Sequence, residues 1–161
     1  MPVSEPLNEI TFVAHLGTVT GVRAHEMRSA GKTPLIAHGE VEERQVDPET
    51  GRVKRCDIRL NSSAGRKLAS GEMKRPEHPD GKDPRNDSLR RDARRKAVAR
   101  GLPYYFTCNM AEVVLYRVAA RADTPDTEEV SYVLAPIRQS REVEPHWPDI
   151  ERTWTAFLDD L

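Results

Sequence analysis

Cysteine is nearly absent from this sequence. Only Cys56 and Cys108 occur. Both fall in segments that read as strands, so reduced, buried thiols in a cytosolic (cytoplasmic) setting are expected rather than a disulfide framework. No CxxC pair or mixed Cys/His spacing offers zinc a site, and His15, His25, His38, His78 and His146 show no ligand spacing. No apolar run is long enough to span a bilayer. The first residues, Met1-Pro2-Val3-Ser4-Glu5-Pro6, have neither the basic nor the apolar region of a signal peptide. An excess of charge of one sign is missing too: 25 Lys and Arg against 26 Asp and Glu give a formal net charge of -1. Global electrostatics therefore do not mark a nucleic-acid binder, and any such signal has to come from local patterning. Internal repeats and low-complexity tracts are also lacking.

What is present suffices for a folded domain. The 161 residues fit one core, and 37% hydrophobic against 32% charged residues is polar for a globular chain without being disordered in class. Leu7 to about Ala30 reads as a helix, with Leu7, Ile10, Val13, Ala14 and Leu16 at helical spacing and Val19, Val22 and Met27 extending the stripe. Ser4 is the candidate cap, Pro6 and Glu9 suit the first turn, and Gly31 ends the segment. Gly17 and Gly21 weaken the middle, where a break would fall. Leu35 to Val46 and Arg52 to Leu60 read as strands joined by the turn Asp47-Pro48-Glu49-Thr50-Gly51, a hairpin. In the second of these, Val53, Arg55, Asp57 and Arg59 share one face, and Cys56, Ile58 and Leu60 the other. After a turn over Asn61–Gly65, Lys67 to Met73 is a third strand.

Pro76 to Asp87 is a loop rich in Pro, Gly, Asp and Asn. Asp87 or Ser88 then caps a helix to about Arg100, with Leu89, Ala93, Ala97 and Val98 as a thin apolar stripe and Gly101 as its end. Tyr104 to Asn109 and Val113 to Ala119 read as strands around a turn at 109–112. Arg121 to Glu129 is a charged loop, and Val130 to Ile137 the last strand. Trp147 to Leu161 is a helix begun near Pro148, with Ile150, Trp154, Phe157, Leu158 and Leu161 on one stripe. This order gives an α/β (α+β) fold, a mixed sheet with helices against it. Residues 1–138 are expected to form the main domain. Residues 139–161 would be a C-terminal helical segment that packs on it or leads to a further domain.

The chemistry concentrates between Arg55 and Asn109. Asp57 and Glu72 lie on separate strands that a turn allows to pair. In Glu72-Met73-Lys74, alternation puts Glu72 and Lys74 on one face and Met73 toward the core. An acid, a second acid and an ammonium would then converge. Magnesium prefers oxygen ligands and keeps several waters, so two carboxylates and a main-chain carbonyl, that of Met73, can hold it and leave room for a phosphate oxygen. The ion polarises a phosphate and acidifies water, and the lysine orients that water or stabilises charge on the phosphorus.

Asp57 followed by Glu72-x-Lys74 resembles the motif of the PD-(D/E)xK nuclease superfamily. The wider run is most similar to the N-terminal nuclease domains of type I restriction enzymes and related bacterial defence proteins. In those, a Pro-containing loop, a helix and a strand ending in Thr and Asn follow the ExK strand. Lys74-Arg75-Pro76 and Tyr105-Phe106-Thr107-Cys108-Asn109 occupy those places here, and Val114-Leu115-Tyr116 resembles the next strand. The resemblance covers about Asp57 to Tyr116. It implies a restriction-endonuclease-like core with a mixed central sheet flanked by helices. It also implies Mg2+ as cofactor (with Mn2+ as a substitute), and a DNA endonuclease of restriction or anti-phage defence, working beside other domains or subunits. Asp57, Glu72 and Lys74 would be catalytic, with Glu9, or as the second choice Glu26, as the acid often carried on the first helix. Two positions depart from the pattern. Cys56 stands where proline precedes the first acid, and Asp92 and Lys96 stand where type I relatives carry a glutamine and then a tyrosine.

Each feature also has a bland reading. An Asp and an ExK occur in any charged chain, and Glu9 is an ordinary first-turn acid favoured by the helix dipole. The helix carrying Arg90, Arg91, Arg94, Arg95, Lys96 and Arg100 is either a solvated face or a phosphate-binding one, with Arg91, Arg94, Arg95 and Lys96 as DNA contacts. The alternatives to a nuclease are a catalytically inactive nucleic-acid-binding module of the same fold, and an interaction domain of a larger assembly.

Overall fold

Six strands build the main sheet, and their order in space is not their order in the chain. A computed structural model describes residues 9–32, 36–41, 44–46, 53–55, 57–62, 67–121 and 123–161. The elements run α1 (Glu9–Ser29), β1 (Ile36–Val41), β2 (Arg44–Val46), β3 (Val53–Arg55), β4 (Ile58–Ser62), β5 (Lys67–Met73), α2 (Asp87–Ala99), β6 (Tyr104–Cys108), β7 (Glu112–Arg117), β8 (Thr127–Val133) and α3 (Trp147–Asp159). Two short 3-10 turns over 140–142 and 144–146 precede α3. The sheet order is β1-β4-β5-β6-β7-β8, with β2 and β3 forming a separate two-stranded ribbon. Every pair in the main sheet is antiparallel except β5 and β6, which run parallel. A parallel pair needs a crossover; here it is the loop after β5 and then α2.

The sheet has two differently built faces. On one, Ile58, Leu60, Ala69, Met73, Phe106, Cys108, Val113 and Leu115 meet Phe12, Val13 and Leu16 of α1 and Ile150, Trp154, Phe157 and Leu158 of α3. Burying each such large side chain contributes roughly 1.5–3 kcal/mol. The Phe106 ring meets Trp154 and Phe157 edge-on, with centroids 5.7 and 5.5 Å apart. That ring crosses over Gly71, where a Cβ would come within 2.1 Å of it. The Trp154 indole N–H donates to Thr20 Oγ1 at 2.9 Å, tying α3 to α1. On the opposite face a smaller cluster, Ala93, Ala97, Leu102, Tyr105, Val114 and Tyr116, seats α2.

Several expectations are corrected. The strands expected over 35–46 and 52–60 are described as β1 with β2 and as β3 with β4, and the hairpin pairing runs through both pieces in one register, with Val41 opposite Ile58 and Arg44 opposite Arg55; a bend at Asp57 separates β3 from β4. Helix α1 is unbroken through Gly17 and Gly21, because its buried positions Phe12, Val13, Leu16, Thr20 and Ala24 pack along its whole length. Ile10 and Val22, assigned to its apolar stripe, are 61% and 52% exposed. Asn86 caps α2 in place of Asp87 or Ser88, its side chain accepting the Leu89 N–H at 3.1 Å, and Val98 lies on the exposed side. The last strand is β8 at 127–133 rather than 130–137, since register with β7 starts at Thr127 opposite Arg117. Ser4, Pro6, Leu7, the turn at 47–51 and Cys56 lie outside the described residues. Cys108 is buried, and burial pushes its thiol up to about 12. Among the described residues no helix is long and apolar enough to cross a membrane.

Candidate active site

The site forms where β4 and β5 meet α2. Ile58 lies opposite Gly71 in the antiparallel ladder and is buried in the α1 and α3 core, so alternation turns its neighbour Asp57 toward α2. Along β5, Met73 enters that same core, which turns Glu72 and Lys74 toward α2 as well. The ladder continues past the end of β5, with the Lys74 N–H donating to Cys108 O at 3.0 Å. Asp57 is held at both ends: its N–H donates to Gly71 O at 3.2 Å, and its Oδ2 accepts the Met73 N–H at 2.6 Å.

Glu72 is only 5% exposed. Lys96, from the facing side of α2, brings its Nζ within 2.8 Å of Glu72 Oε1 and 3.2 Å of Asp92 Oδ2. The contact is a close, charge-assisted ion pair with the buried carboxylate. Burial, and then the Asp57 charge, push the Glu72 carboxyl up to about 8 against the pull of Lys96. Burial also raises Asp57, opposed by the Met73 N–H and by the Lys96 and Lys74 charges. Lys96 loses solvation, but the charges of Glu72, Asp92 and Asp57 outweigh that loss and hold its pKa above the ordinary value. Two carboxylates and two ammonium groups thus share one small, poorly hydrated volume.

The residues read from the sequence fall into three places. Asp57, Glu72 and Lys74 are brought together. Glu9 stands at the start of α1 beside the end of β5, where its Oε1 accepts the Arg75 N–H at 3.3 Å and lies 3.4 Å from Arg75 Nε; its described partner is Arg75, not the carboxylate pair. The four α2 residues expected as DNA contacts divide. Arg91 and Arg95 are exposed and line, with Lys74, Asp80, Ser88, Leu89 and Asp92, a cleft of about 280 Å³ that reaches Lys74 but not Asp57, Glu72 or Lys96. Arg94 instead binds Asp126, Nε to Oδ2 at 2.9 Å, an oxygen that also accepts the Tyr105 hydroxyl at 2.6 Å. Lys96 turns inward to Glu72. The outer phosphate-facing role expected of these last two is corrected by their ion pairs. A larger cleft of about 880 Å³ lies between the 76–84 loop and residues 133–139, and none of Asp57, Glu72, Lys74 or Lys96 lines it.

Sequence reasoning gave Thr107 and Asn109 no task. They anchor the loop between β5 and α2: Thr107 Oγ1 donates to Pro84 O at 2.5 Å, and Asn109 Nδ2 to Gly81 O at 2.8 Å. At Gly81 a Cβ would come within 1.9 Å of Arg75 O, so only glycine lets the loop close on the end of β5. Ser140 then clasps the loop from outside, through its N–H to Glu77 Oε2 at 2.8 Å and through its hydroxyl. The loop that roofs the cleft is therefore fixed to the sheet.

Among the described residues no group of three or more His, Cys, Asp or Glu side chains is gathered as a metal-ligand set. The donors present are two adjacent carboxylates, Asp57 and Glu72, the second buried and met by Lys96. That set fits a hard divalent cation that takes one or two carboxylates and keeps water elsewhere.

The architecture is that of a mixed α+β sheet flanked by helices, as in restriction endonucleases. It is similar to the type IIG restriction endonuclease BpuSI: 97% of this chain superposes on 18% of that chain, with a TM-score of 0.51 and 12% sequence identity. The chain thus spans less than a fifth of the length of that enzyme. No protein-family model matches the chain, and no curated protein matches it.

Proposed function

We propose that this chain is a PD-(D/E)xK-type nuclease domain that hydrolyses phosphodiester bonds of DNA with Mg2+, or Mn2+ in its place, as part of a restriction or anti-phage defence system. The observation that carries the reading is the convergence of Asp57, Glu72 and Lys74 on the α2 side of a restriction-endonuclease-like sheet. A hard cation held by Asp57, Glu72 and the Met73 carbonyl would supply Lewis-acid polarisation of the scissile phosphate and acidification of a water. Lys74, beside Asp57 and lining the cleft, would stabilise negative charge that grows on the phosphate oxygens. Arg91 and Arg95, on the rim of that cleft, would hold the neighbouring phosphates and set the strand's register without reading its sequence. Glu9, through Arg75, would position the end of β5. Sequence specificity would come from other domains or subunits.

The test is a plasmid-nicking assay with Mg2+ or Mn2+, beside calorimetric titration of the metal. The parent is expected to nick and to bind metal. Glu72→Ala should lose both, because it removes a ligand. Lys74→Ala should lose cleavage but bind metal at least as well, since a like charge has gone. Cleavage by both variants at the parent's rate, or a parent that binds no metal, would leave the inactive binding-module reading in its place.

A further inference from the structure

The site already holds a cation of its own. Lys96 Nζ lies 2.8 Å from the buried Oε1 of Glu72, next to Asp57, where a divalent ion bound by this carboxylate pair would also have to lie. The lysine side chain is 13% exposed, so it is part of the interior of the site and not a surface charge that swings past. It also has a second carboxylate in reach, Asp92 at 3.2 Å, one turn earlier on the same helix and 44% exposed.

We propose that Lys96 is an internal counter-ion that competes with the divalent cation for Glu72, and that Asp92 is the resting place to which it moves when the metal enters. This rests on the metal-centre reading above. When both are charged, two carboxylates this close and this poorly hydrated repel each other, and a tethered ammonium between them and Asp92 offsets that repulsion. With metal, the ammonium becomes a like charge within a few ångströms of the ion. It has to give up Glu72, but it need not enter solvent unpaired, because Asp92 already touches it. The residue pair then sets a metal threshold: affinity is lowered by the exchange, and lowered less because Asp92 accepts the ammonium.

The experiment titrates Mn2+ into the full chain by calorimetry, in one buffer for all variants. It follows the metal-induced rise in melting temperature alongside. Lys96→Met keeps the length of the side chain and removes the charge. It should bind Mn2+ about tenfold or more tightly than the parent, as expected for removal of a unit charge adjacent to the ion. Asp92→Asn changes a half-exposed position and is the variant least at risk of misfolding. It should bind several-fold more weakly in the parent background and almost unchanged when combined with Lys96→Met, since its effect runs through the lysine. A Lys96→Met that binds Mn2+ no better than a metal-binding parent overturns the proposal and leaves the metal centre standing. So does an Asp92→Asn effect of equal size in both backgrounds, which would be plain electrostatics. If neither parent nor Lys96→Met binds Mn2+, the metal-centre reading fails and this inference goes with it.

Discussion

Replacing Glu72 by glutamine should stabilise the metal-free protein at alkaline pH. Glu72 is buried, beside Asp57, and its carboxyl is pushed up from 4.5 to about 8. Between those pH values the folded protein holds a proton on Glu72 that the unfolded chain has released. The folded state therefore binds more protons, and stability falls as pH rises through this window. Below pH 4.5 both states are protonated and the contribution is fully present; above 8 it is lost. Each tenfold change in proton affinity is worth about 1.4 kcal/mol. The loss across the window is thus roughly 2–5 kcal/mol, the upper figure applying if nothing in the site relaxes. Glutamine mimics the protonated acid in shape and charge and cannot ionise. Glu72→Gln should match the parent near pH 5 and exceed it by that amount near pH 9.

The measurement is urea unfolding of parent and Glu72→Gln at several pH values from 5 to 9, in a chelator, because a bound divalent ion would stabilise the charged carboxylate and hide the effect. For a chain of this size, each kcal/mol also moves the melting temperature by about 2–4 °C, so a thermal scan reads the same difference. A gap between the two proteins that stays constant with pH would refute the reasoning. A variant less stable than the parent at pH 9 would refute it more sharply, since it would mean that the Lys96 pair outweighs the burial of the charge.

The other predictions concern cleavage, DNA binding, metal exchange and packing. Loss of nicking in Glu72→Ala and Lys74→Ala with opposite effects on metal affinity, and tighter Mn2+ binding in Lys96→Met, are tested as described above. Arg91→Ala with Arg95→Ala should lower the log–log salt slope of DNA binding by about 2, near 0.9 for each phosphate no longer neutralised, whereas Arg94→Ala, whose guanidinium is held by Asp126, should leave the slope unchanged in the same filter-binding titration. Gly71→Ala would drive a methyl into the Phe106 ring and should cost about 1–3 kcal/mol, read as a lower urea midpoint; an unchanged midpoint would mean that the ring moves freely in the core.

Much of this arrangement is written in short-range pattern, and what is not depends on which face of an element finds a partner. Alternation along 57–60 and 67–73 is enough to place Asp57, Glu72 and Lys74 on one side and Ile58, Leu60 and Met73 on the other, because strand periodicity is rigid and one face is buried. The bend at Asp57 that separates β3 from β4 is not readable, since charged residues flank it and no Pro or Gly marks it. The start of β8 is hidden for a related reason: Thr127-Glu128-Glu129 is polar, and it is a strand because β7 offers it a ladder, not because of its own propensity. Asn86 does not stand out as the α2 cap, because Asp87 and Ser88 beside it are capping residues too.

Lys96 is the instructive case. Read as one of a run of basic residues, it belongs with Arg91, Arg94 and Arg95 on a phosphate-binding face. Read by helical period, it does not. Leu89, Ala93 and Ala97 define the buried stripe of α2, and positions 92 and 96 border that stripe on one side while 90 and 94 border it on the other. One border meets the end of β5 and its acids; the other meets Tyr116, which lies under Arg90 at 4.4 Å, and Asp126. Only 91 and 95 point away. By composition the helix is basic, but its period distributes that charge among three neighbourhoods, and only one of them is open to a phosphate. A basic helix packed on a sheet should therefore be divided by its borders before any of its charges is assigned to a ligand. The residues it turns inward, here Lys96 with Asp92, are where its consequences for chemistry are to be sought.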